Sequence, residues 1–514
     1  MKRICAIVLF AAAIVSATAQ TNPVETSTAT RAMSLQDCFT EALRHNFDLQ
    51  IQRYSPELSL YSLRGSYGAY DPTFNFSATH TYSTGDNNLA AITNSVSTNF
   101  FGLHRDLARD NTLQSDLGGS LPWGMQYDFK GSVDENNNNN YFGRNNTLTS
   151  DFTRSTAGSA EVDLTQPLLK DFWIDSPRLT IRQAKNALKK SEQALRLQAI
   201  TTITAVENAY LELIYARENV RVEEEALNLA QTQLDQDKQR VQVGSLAPLD
   251  VQQDEAQVAQ SRANLITAQF TLVSDQNALK NLITDNYPQW HDLEIMPTVS
   301  MEAVRQFFDV QDSWSKGMTQ RPDLLQARLD VENQGITLEF DRNQLFPTLD
   351  VSGTFGYAGN GYAYGDALGE IHDQNRPYYS YGASLSMPLS NVKARNSLKS
   401  GRASLQQLLL TLKQLEQNIM VQIDDAVKQA ESAWESVQAT HEARTYAEAA
   451  LDAEQKKYSV GKSTTFTVLQ LQNNLTQARS QEIRALANYN EALSNLAQQE
   501  GSTLERRQID FKVK

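Results

Sequence analysis

Two segments of the chain share one pattern: Arg240-Val241-Gln242-Val243-Gly244-Ser245 and Lys457-Tyr458-Ser459-Val460-Gly461-Lys462. Each follows roughly 65 residues that are nearly free of Gly and Pro, the residues that most often interrupt helices. Gly is also the residue that most readily adopts the left-handed conformation just past a helix end. The two segments therefore predict the ends of two very long helices.

The segments belong to a duplicated unit. Their glycines lie 217 positions apart, and the same offset relates Glu207-Asn208-Ala209 to Asp424-Asp425-Ala426. An offset of 275 relates two earlier pairs: Asn46-Phe47-Asp48-Leu49 with Arg321-Pro322-Asp323-Leu324, and Asp71-Pro72-Thr73-Phe74 with Phe346-Pro347-Thr348-Leu349. An ordered series at two constant offsets indicates an internal repeat. We predict a first repeat at 20–284, an equatorial linker region at 285–320, a second repeat at 321–500 and a C-terminal tail at 501–514.

Each repeat contains the same elements in the same order. A short helical stretch (35–70; 301–345) precedes strands at about 72–84 and 112–168, or at about 348–358 and 378–388. Aromatic side chains alternate along these strands, which is typical of strands that face lipid on one side, although a soluble hairpin shows the same period. A long helix (176–243; 391–458) follows, and a helix of about 35 residues returns from Pro248 or Thr465.

The long helices favour the membrane interpretation, because they require an assembly. In 176–243 apolar residues recur at every seventh position, which predicts a left-handed coiled coil: Ala199, Val206, Leu213, Val220, Leu227, Leu234 and Val241. At 1.5 Å per residue such a helix extends ~100 Å, too far for one monomer to bury its apolar stripe. About four strands are likewise too few to enclose a channel, whereas three chains would supply about twelve.

The first repeat carries an insertion. Pro72 to Pro167 spans 95 positions, whereas the equivalent segment 347–388 of the second repeat spans 41. The insertion includes an alternating stretch at 117–133, which predicts an extra hairpin, and five asparagines at 136–140, which predict a solvated extracellular loop. The hairpin either folds beyond the barrel rim or adds two strands per chain, which would make about eighteen strands in three chains.

The N-terminus predicts export, and the composition excludes several functions. Residues 1–19 combine Lys2 and Arg3, an apolar run and a small-residue site, which is typical of a secretory signal peptide. The 46 Lys and Arg residues against 60 Asp and Glu argue against nucleic acid as a partner. The spacings of His, Cys and acidic residues predict no metal site, no cofactor and no catalytic constellation, so we expect no enzymatic step.

This order of elements resembles the TolC-like outer-membrane efflux protein family (outer membrane factor). The resemblance is carried by the opening residues Leu35 and Cys38, the strand-flanking prolines and both tip segments. It implies an α+β membrane protein, with two tandem repeats forming a trimeric outer-membrane β-barrel continued by a long periplasmic α-helical coiled-coil barrel. It also implies a homotrimer in outer-membrane lipid that works with a periplasmic adaptor (membrane fusion) protein and an inner-membrane pump.

The function implied is that of the outer-membrane channel of a tripartite efflux or type I secretion system. Such a channel is a passive exit duct for small molecules or proteins across periplasm and outer membrane. The alternative is an exported periplasmic coiled-coil scaffold protein without transport activity.

The resemblance also assigns roles at the tips. Asp250 and Tyr458 match two positions of the family's periplasmic entrance constriction, and the adaptor-docking tips correspond to Val243, Gly244, Ser245, Val460, Gly461 and Lys462. Where the family has an Arg and two further Asp residues, this chain has Ser463, Thr467 and Gln470, so a tight salt-bridged gate is not expected. From the residues alone, Asp250 is equally well interpreted as a carboxylate favoured at a helix N-terminus, and helix termination explains both glycines.

Overall fold

The computed structural model describes residues 29–87, 104–144 and 147–511, and the signal-peptide prediction at 1–19 lies outside these ranges. The described chain begins with β1 (Ala29–Met33), α1 (Leu35–His45) and α2 (Phe47–Ser66). A capping box starts α1, because the Ser34 hydroxyl accepts a bond from the Asp37 amide and Asp37 accepts one from the Ser34 amide. The first helix therefore begins where local chemistry favours a start.

Strands and a long helical hairpin complete the first repeat: β2 (Thr73–Asn87), β3 (His104–Ser120), β4 (Gln126–Arg144), β5 (Thr147–Pro167), α3 (Ser176–Gln242) and α4 (Pro248–Ile283). The side chain of Asp175 caps α3 by accepting a bond from the Arg178 amide. Pro177 fits the first turn, where a missing N–H costs nothing. With 67 residues, α3 extends ~100 Å.

The linker and the second repeat follow: α5 (Tyr287–Trp290), β6 (Leu293–Pro297), α6 (Val310–Gln320), α7 (Pro322–Asn343), β7 (Thr348–Gly361), α8 (Tyr364–His372), β8 (Pro377–Ser386), α9 (Val392–Ser459), α10 (Thr465–Glu500) and α11 (Thr503–Arg506). The helix α9 has 68 residues and α10 has 36, which equals the length of α4. Both repeats thus contain a long helix and a returning helix of about half its length.

The prediction of a helix from residue 301 is wrong, since α6 begins at Val310. Backbone groups of the preceding segment bond to a distant side chain instead of to one another. The Tyr489 hydroxyl donates to the Val304 carbonyl oxygen at 2.7 Å and accepts from the Gln306 amide at 3.3 Å. This tyrosine lies 185 positions from Val304, so no local pattern of residues could reveal it.

One six-stranded antiparallel sheet contains the strands β2, β3, β4, β5, β7 and β8 in that order, and β1 pairs with β6 separately. The predicted extra hairpin corresponds to β3 and β4, which lie inside the sheet. Cross-strand partners project on the same side of a sheet. One side, the apolar face, therefore carries Phe74, Phe76, Leu113, Leu117, Phe129, Val133, Val162, Leu164, Val351, Phe355, Tyr379 and Leu385. The opposite side, the polar face, carries mainly Ser, Thr and Asp.

The prediction of a loop at 136–140 is wrong, because these asparagines belong to β4. Asn136 pairs with Asp110 on β3 and with Ser155 on β5, so ladders on both sides hold the run extended. The strand has 19 residues, although about 9–11 suffice to cross a bilayer. Apolar side chains alternate along β4 only from Tyr127 to Val133, and the asparagines occupy a polar part of the strand beyond that region.

A short helix, α8, packs on the apolar face at the end of the sheet remote from the long helices. Gly359 on β7 leaves room for it, since a Cβ there would overlap the Ala367 carbonyl group. Nearby, the almost fully buried Glu135 accepts hydrogen bonds from Arg154 at 2.7 Å and from Asn111 at 3.0 Å. The apolar face thus changes to a paired polar surface beyond the membrane-sized part of the sheet.

Four helices lie side by side in each half of the helical region. Nearer the sheet their order is α2, α3, α7 and α9, and nearer the tips it is α4, α3, α10 and α9. The helices α3 and α9 therefore run the whole length, and shorter helices cover them end to end. Among the helices of the described ranges, none combines the length and apolar character of a membrane span.

The predicted seam of α3 is buried only in its first half. Ala199, Val206 and Leu213 are fully buried, whereas Leu234 and Val241 are half-buried. Before the tip, the buried positions include Gln233 and Asp237 instead. The interior of the hairpin region thus becomes polar where the heptad pattern predicts apolar contacts.

The main core lies near the middle of the molecule and joins the first repeat to the linker. The buried Tyr210 of α3 donates to the Met33 carbonyl oxygen at 3.0 Å and accepts from the Thr298 amide at 3.2 Å. Cys38 is fully buried in the same cluster, and burial raises the pKa of its thiol to about 12. The thiol is therefore unreactive at neutral pH.

Candidate functional site

The two hairpin tips have the same backbone geometry. Gly244 has φ +75°, its amide donates to the Val241 carbonyl oxygen at 3.0 Å, and the Ser245 amide donates to the Arg240 carbonyl oxygen at 2.9 Å. These two bonds define a Schellman motif, which satisfies carbonyls left open at a helix end.

The second tip repeats this geometry. Gly461 also has φ +75°, and the amides of Gly461 and Lys462 donate to the carbonyl oxygens of Tyr458 and Lys457 at 3.0 and 2.9 Å. The backbone conformation at both tips therefore favours glycine over residues with a side chain.

Apolar side chains project from both tips. Val243 is 79% exposed and Val460 is 67% exposed, and Ser245 and Lys462 beside them are also exposed. The structure adds two residues that sequence reasoning missed, Leu249 and Phe466, both largely exposed in the first turns of α4 and α10. Their positions differ by the same 217 as the tip glycines, so the repeat offset could have revealed them. The exposed apolar residues make each tip a surface suited to a protein partner.

The two residues predicted for the constriction have different surroundings. Tyr458 is buried, its hydroxyl lies 2.8 Å from both carboxylate oxygens of Asp237, to which it donates, and the Arg240 guanidinium lies 4.4 Å from the centre of its ring. Burial raises the pKa of Tyr458, so the hydroxyl stays protonated and can donate. Asp250 is half-buried in the first turn of α4, and no hydrogen bond joins it to Tyr458 although the structure describes both. Tyr458 thus holds Asp237 of α3, a residue that no pattern in the sequence singles out.

The polar face of the sheet is acidic. Its carboxyl groups come from Asp110, Asp116, Asp128, Asp134, Glu161, Asp163 and Asp350. Among the side chains described on this face, Lys130 is the only Lys or Arg, and it pairs with Asp163 at 2.7 Å and Asp128 at 3.3 Å. Such a surface is hydrated and negative, which suits the wall of an aqueous path. In the described ranges, no cluster of three or more His, Cys, Asp or Glu side chains is placed to hold a metal ion.

Comparison with known families gives a match over both repeats. The model of the family described as outer membrane efflux protein matches residues 131–284 and 315–502, which is more than half of the chain. The gap between the two matched segments contains most of the linker, from α5 to the start of α6.

Individual proteins and solved structures agree with this match. Outer membrane protein TolC of Escherichia coli is 26% identical over 348 residues, which cover 65% of this chain and 67% of that protein. The pyoverdine export outer membrane protein OpmQ of Pseudomonas aeruginosa is 24% identical over 348 residues, covering 66% of this chain and 67% of that protein.

The CmeC outer membrane channel of Campylobacter jejuni has TM-score 0.64 and 14% identity over 93% of this chain and 87% of that one. The outer membrane protein VceC of Vibrio cholerae has TM-score 0.63 and 17% identity over 91% and 96%. These structures share the predicted fold of a β-barrel continued by long helices, and family members are channels. The chain belongs to the outer membrane efflux protein family, and it is an efflux channel of the outer membrane that extends into the periplasm.

Proposed function

We propose that three copies of this chain assemble into one outer-membrane exit duct. The observation that carries the proposal is the six-stranded sheet, whose outermost strands β2 and β8 each lack a second neighbour among the described residues. Unpaired backbone groups at a sheet edge are too costly inside a bilayer, so the sheet has to close. Three such sheets give about eighteen strands, a number that leaves an aqueous channel inside a barrel.

The helices continue the same two edges. The edge of β2 continues into α2 and α4, and the edge of β8 continues into α9. Along the first edge, uncovered apolar side chains follow the helical spacing: Ile51, Tyr54, Leu58 and Tyr61 on α2, and Ile266, Phe270 and Val273 on α4. Stripes of this kind are seams for a neighbouring helix. When one edge of each copy meets the other edge of the next, the contact is head-to-tail and closes a ring.

This ring is a passive duct for small molecules or proteins in a tripartite efflux or type I secretion system. The polar face lines the channel, the apolar face contacts outer-membrane lipid, and the helices continue the channel into the periplasm. The chain performs no chemical step, so the energy comes from an inner-membrane pump. A periplasmic scaffold without transport activity would not require a sheet with a membrane-sized apolar region on one face.

The tips are the proposed docking surface for a periplasmic adaptor protein. The support is the pair of identical motifs with exposed Val243 and Val460, extended by Leu249 and Phe466. Asp250 and Tyr458 remain candidates for the entrance constriction. Asp250 would contribute a negative charge there, because it lies in the first turn of α4, close to the tip. Tyr458 is buried and would act there by holding Asp237.

Phe270 provides the test of the ring. In the single chain this side chain is 74% exposed, and in the ring it is covered by the next copy. The substitution Phe270→Glu therefore buries an unpaired charge, and we expect the trimer to dissociate at a clearly lower temperature in detergent. Thr271→Glu is the matched control, because it adds the same carboxylate at an exposed position of α4 that is neither three nor four residues from any member of the apolar stripe. A wild-type protein with the mass of a monomer, or two variants with equal dissociation temperatures, would count against the ring.

A further inference from the structure

A buried polar cluster lies just behind the tips and contains one residue from each of the four hairpin helices. The residues are Asp237 of α3, Asp254 of α4, Tyr458 of α9 and Thr465 of α10. Both aspartates are 0% exposed, and the other two side chains are almost fully buried. A coiled coil normally fills such positions with apolar side chains, so the cluster needs its own explanation.

The two carboxyl groups have opposite surroundings. Asp237 accepts from the Tyr458 hydroxyl at 2.8 Å and from the Gln233 amide at 2.8 Å, and the Arg240 guanidinium lies 3.6 Å away. Neither carboxyl oxygen of Asp254 has a hydrogen-bond donor among the described residues. An ionised carboxylate buried without donors is strongly unfavourable, so Asp254 is present as the neutral acid. Its O–H then requires an acceptor, and Asp237 is the neighbouring carboxylate.

The charges around the pair agree with this assignment. Burial first, and the negative charge of Asp237 second, raise the pKa of Asp254 to about 7, with Asp250 on the same helix adding to the effect. Arg240 is the one cation that contacts the cluster among the described residues, and it can neutralise a single carboxylate. The charged residues next to the pair in the sequence, Lys238 and Glu255, bond to each other at 3.3 Å on the exposed side of the hairpin.

Helices α9 and α10 contribute no charged group to the pair. From α9 the Tyr458 hydroxyl faces Asp237, and from α10 the Thr465 hydroxyl lies 2.9 Å from that of Tyr458. The surroundings of the two aspartates therefore stabilise one ionised carboxylate and one protonated carboxyl group.

We propose that Asp237 and Asp254 share one proton, and that this proton latches the two hairpins together behind the tips. With the proton bound, the Asp237 carboxylate accepts the hydrogen bond from the Tyr458 hydroxyl, and this bond holds α9 against α3. Without it, two adjacent carboxylates face one guanidinium, and the repulsion draws in water and loosens the contact between the hairpins. A role of this latch in transport rests on the proposed function, because that role requires the tips to be the channel entrance. The shared proton itself does not depend on the proposed function.

The direction of the pH effect follows from the two states. In the latched state the pKa of Asp254 is about 7, whereas a hydrated Asp in the loosened state has the ordinary value of 3.8. The latched state therefore holds a proton that the loosened state releases at any pH between these values. The equilibrium constant that favours the latched state over the loosened state therefore falls about tenfold per pH unit over that range. Above that range it does not change further.

Hydrogen exchange of the full-length protein in detergent tests the proposal. After correction for intrinsic exchange rates, we expect amide protection at the ends of α3 and α9 to fall about a hundredfold from about pH 5 to about pH 7 and then to level off. Asp254→Asn removes the titrating group and should leave a flat profile. Asp235→Asn is the matched control, because it makes the same change at an exposed position of α3 and should keep the wild-type profile.

Several outcomes would overturn the latch. Amide protection that does not change with pH in the wild-type protein would refute it, and so would the wild-type pH profile in Asp254→Asn. If Asp254→Asn does not assemble, Asp254→Ala is measured instead, and the same flat profile is expected. Protection that depends on added calcium instead of pH would show a cation site and not a shared proton. The mass of the same sample separates the two proposals, because a trimer with a flat profile refutes only the latch, and a monomer with the pH profile refutes only the duct.

Discussion

Substitutions at Gly244 separate the two meanings of the tip glycines, helix termination and docking. A Cβ at Gly244 would meet no atom within 4 Å, so the folded chain has space for a side chain there. The cost of a substitution is instead conformational, because φ is +75° and a non-Gly residue in this region costs ~1–2 kcal/mol. Asn tolerates this conformation better than Ala does.

The two variants are therefore expected to rank differently under the two interpretations. If the glycine only ends the helix, Gly244→Ala strains the Schellman motif more than Gly244→Asn does. The population of the folded tip is then up to about tenfold lower in the Ala variant, and export is impaired more. If an adaptor approaches the backbone closely, the larger Asn blocks it, and Gly244→Asn is the more damaging change. We expect the second order, and the same order for Gly461.

The assay is adaptor-dependent export by cells that contain the transport partners of this channel, with trimer mass measured on the purified variants. Neither variant should affect assembly, since a loss of ~1–2 kcal/mol at an exposed tip is small beside the burial along a helix of 67 residues. Greater damage from Ala than from Asn would refute the docking interpretation. Loss of the trimer in either variant would show that the tip stabilises the assembly itself.

Two further changes test the packing on which the duct depends. Arg507→Ala removes the partner of the buried Glu207 and should cost ~3–5 kcal/mol, which a melting temperature checks; a second substitution, Glu207→Gln, should restore part of the loss, and no restoration would contradict the charge argument. Gly359→Ala places a Cβ against the Ala367 carbonyl group, so hydrogen exchange should rise in α8 and not in the long helices; unchanged exchange in α8 would refute its packing on the sheet.

Features encoded over short distances were predictable from the sequence. The long helices follow from the apolar period and from the tip glycines, and the structure gives α3 at Ser176–Gln242 against the predicted 176–243. The prediction of a loop at 136–140 was wrong because contacts between residues far apart in the sequence determine the structure of this segment. Asparagine favours turns in isolation, but here neighbouring strands on both sides supply hydrogen bonds that outweigh this preference.

The carboxyl pair was not predictable, because it depends on how four helices meet. On α3 alone, Asp237 lies among Gln and Lys residues and has the composition of a solvated face. Its burial arises from the change in the buried side of α3 near the tip, which a heptad count over one helix cannot show. Asp250 was selected because of the resemblance, but in the structure its neighbour one turn later, Asp254, is the buried one.

In the proposed ring, most of the negative charge of the channel lies at the sheet, and Asp250 is the one carboxylate proposed for the entrance constriction. The tip positions Ser463, Thr467 and Gln470 carry no charge, whereas the polar face carries carboxyl groups on four of its strands and one lysine among its described side chains. At physiological salt the field of an exposed charge decays within about 8 Å, and a barrel of about eighteen strands is wide enough for solutes to pass beyond that range. The acidic wall therefore keeps the channel hydrated without strongly selecting by charge. Choice of substrate in such a duct has to be made before the entrance, by the pump and adaptor that supply it.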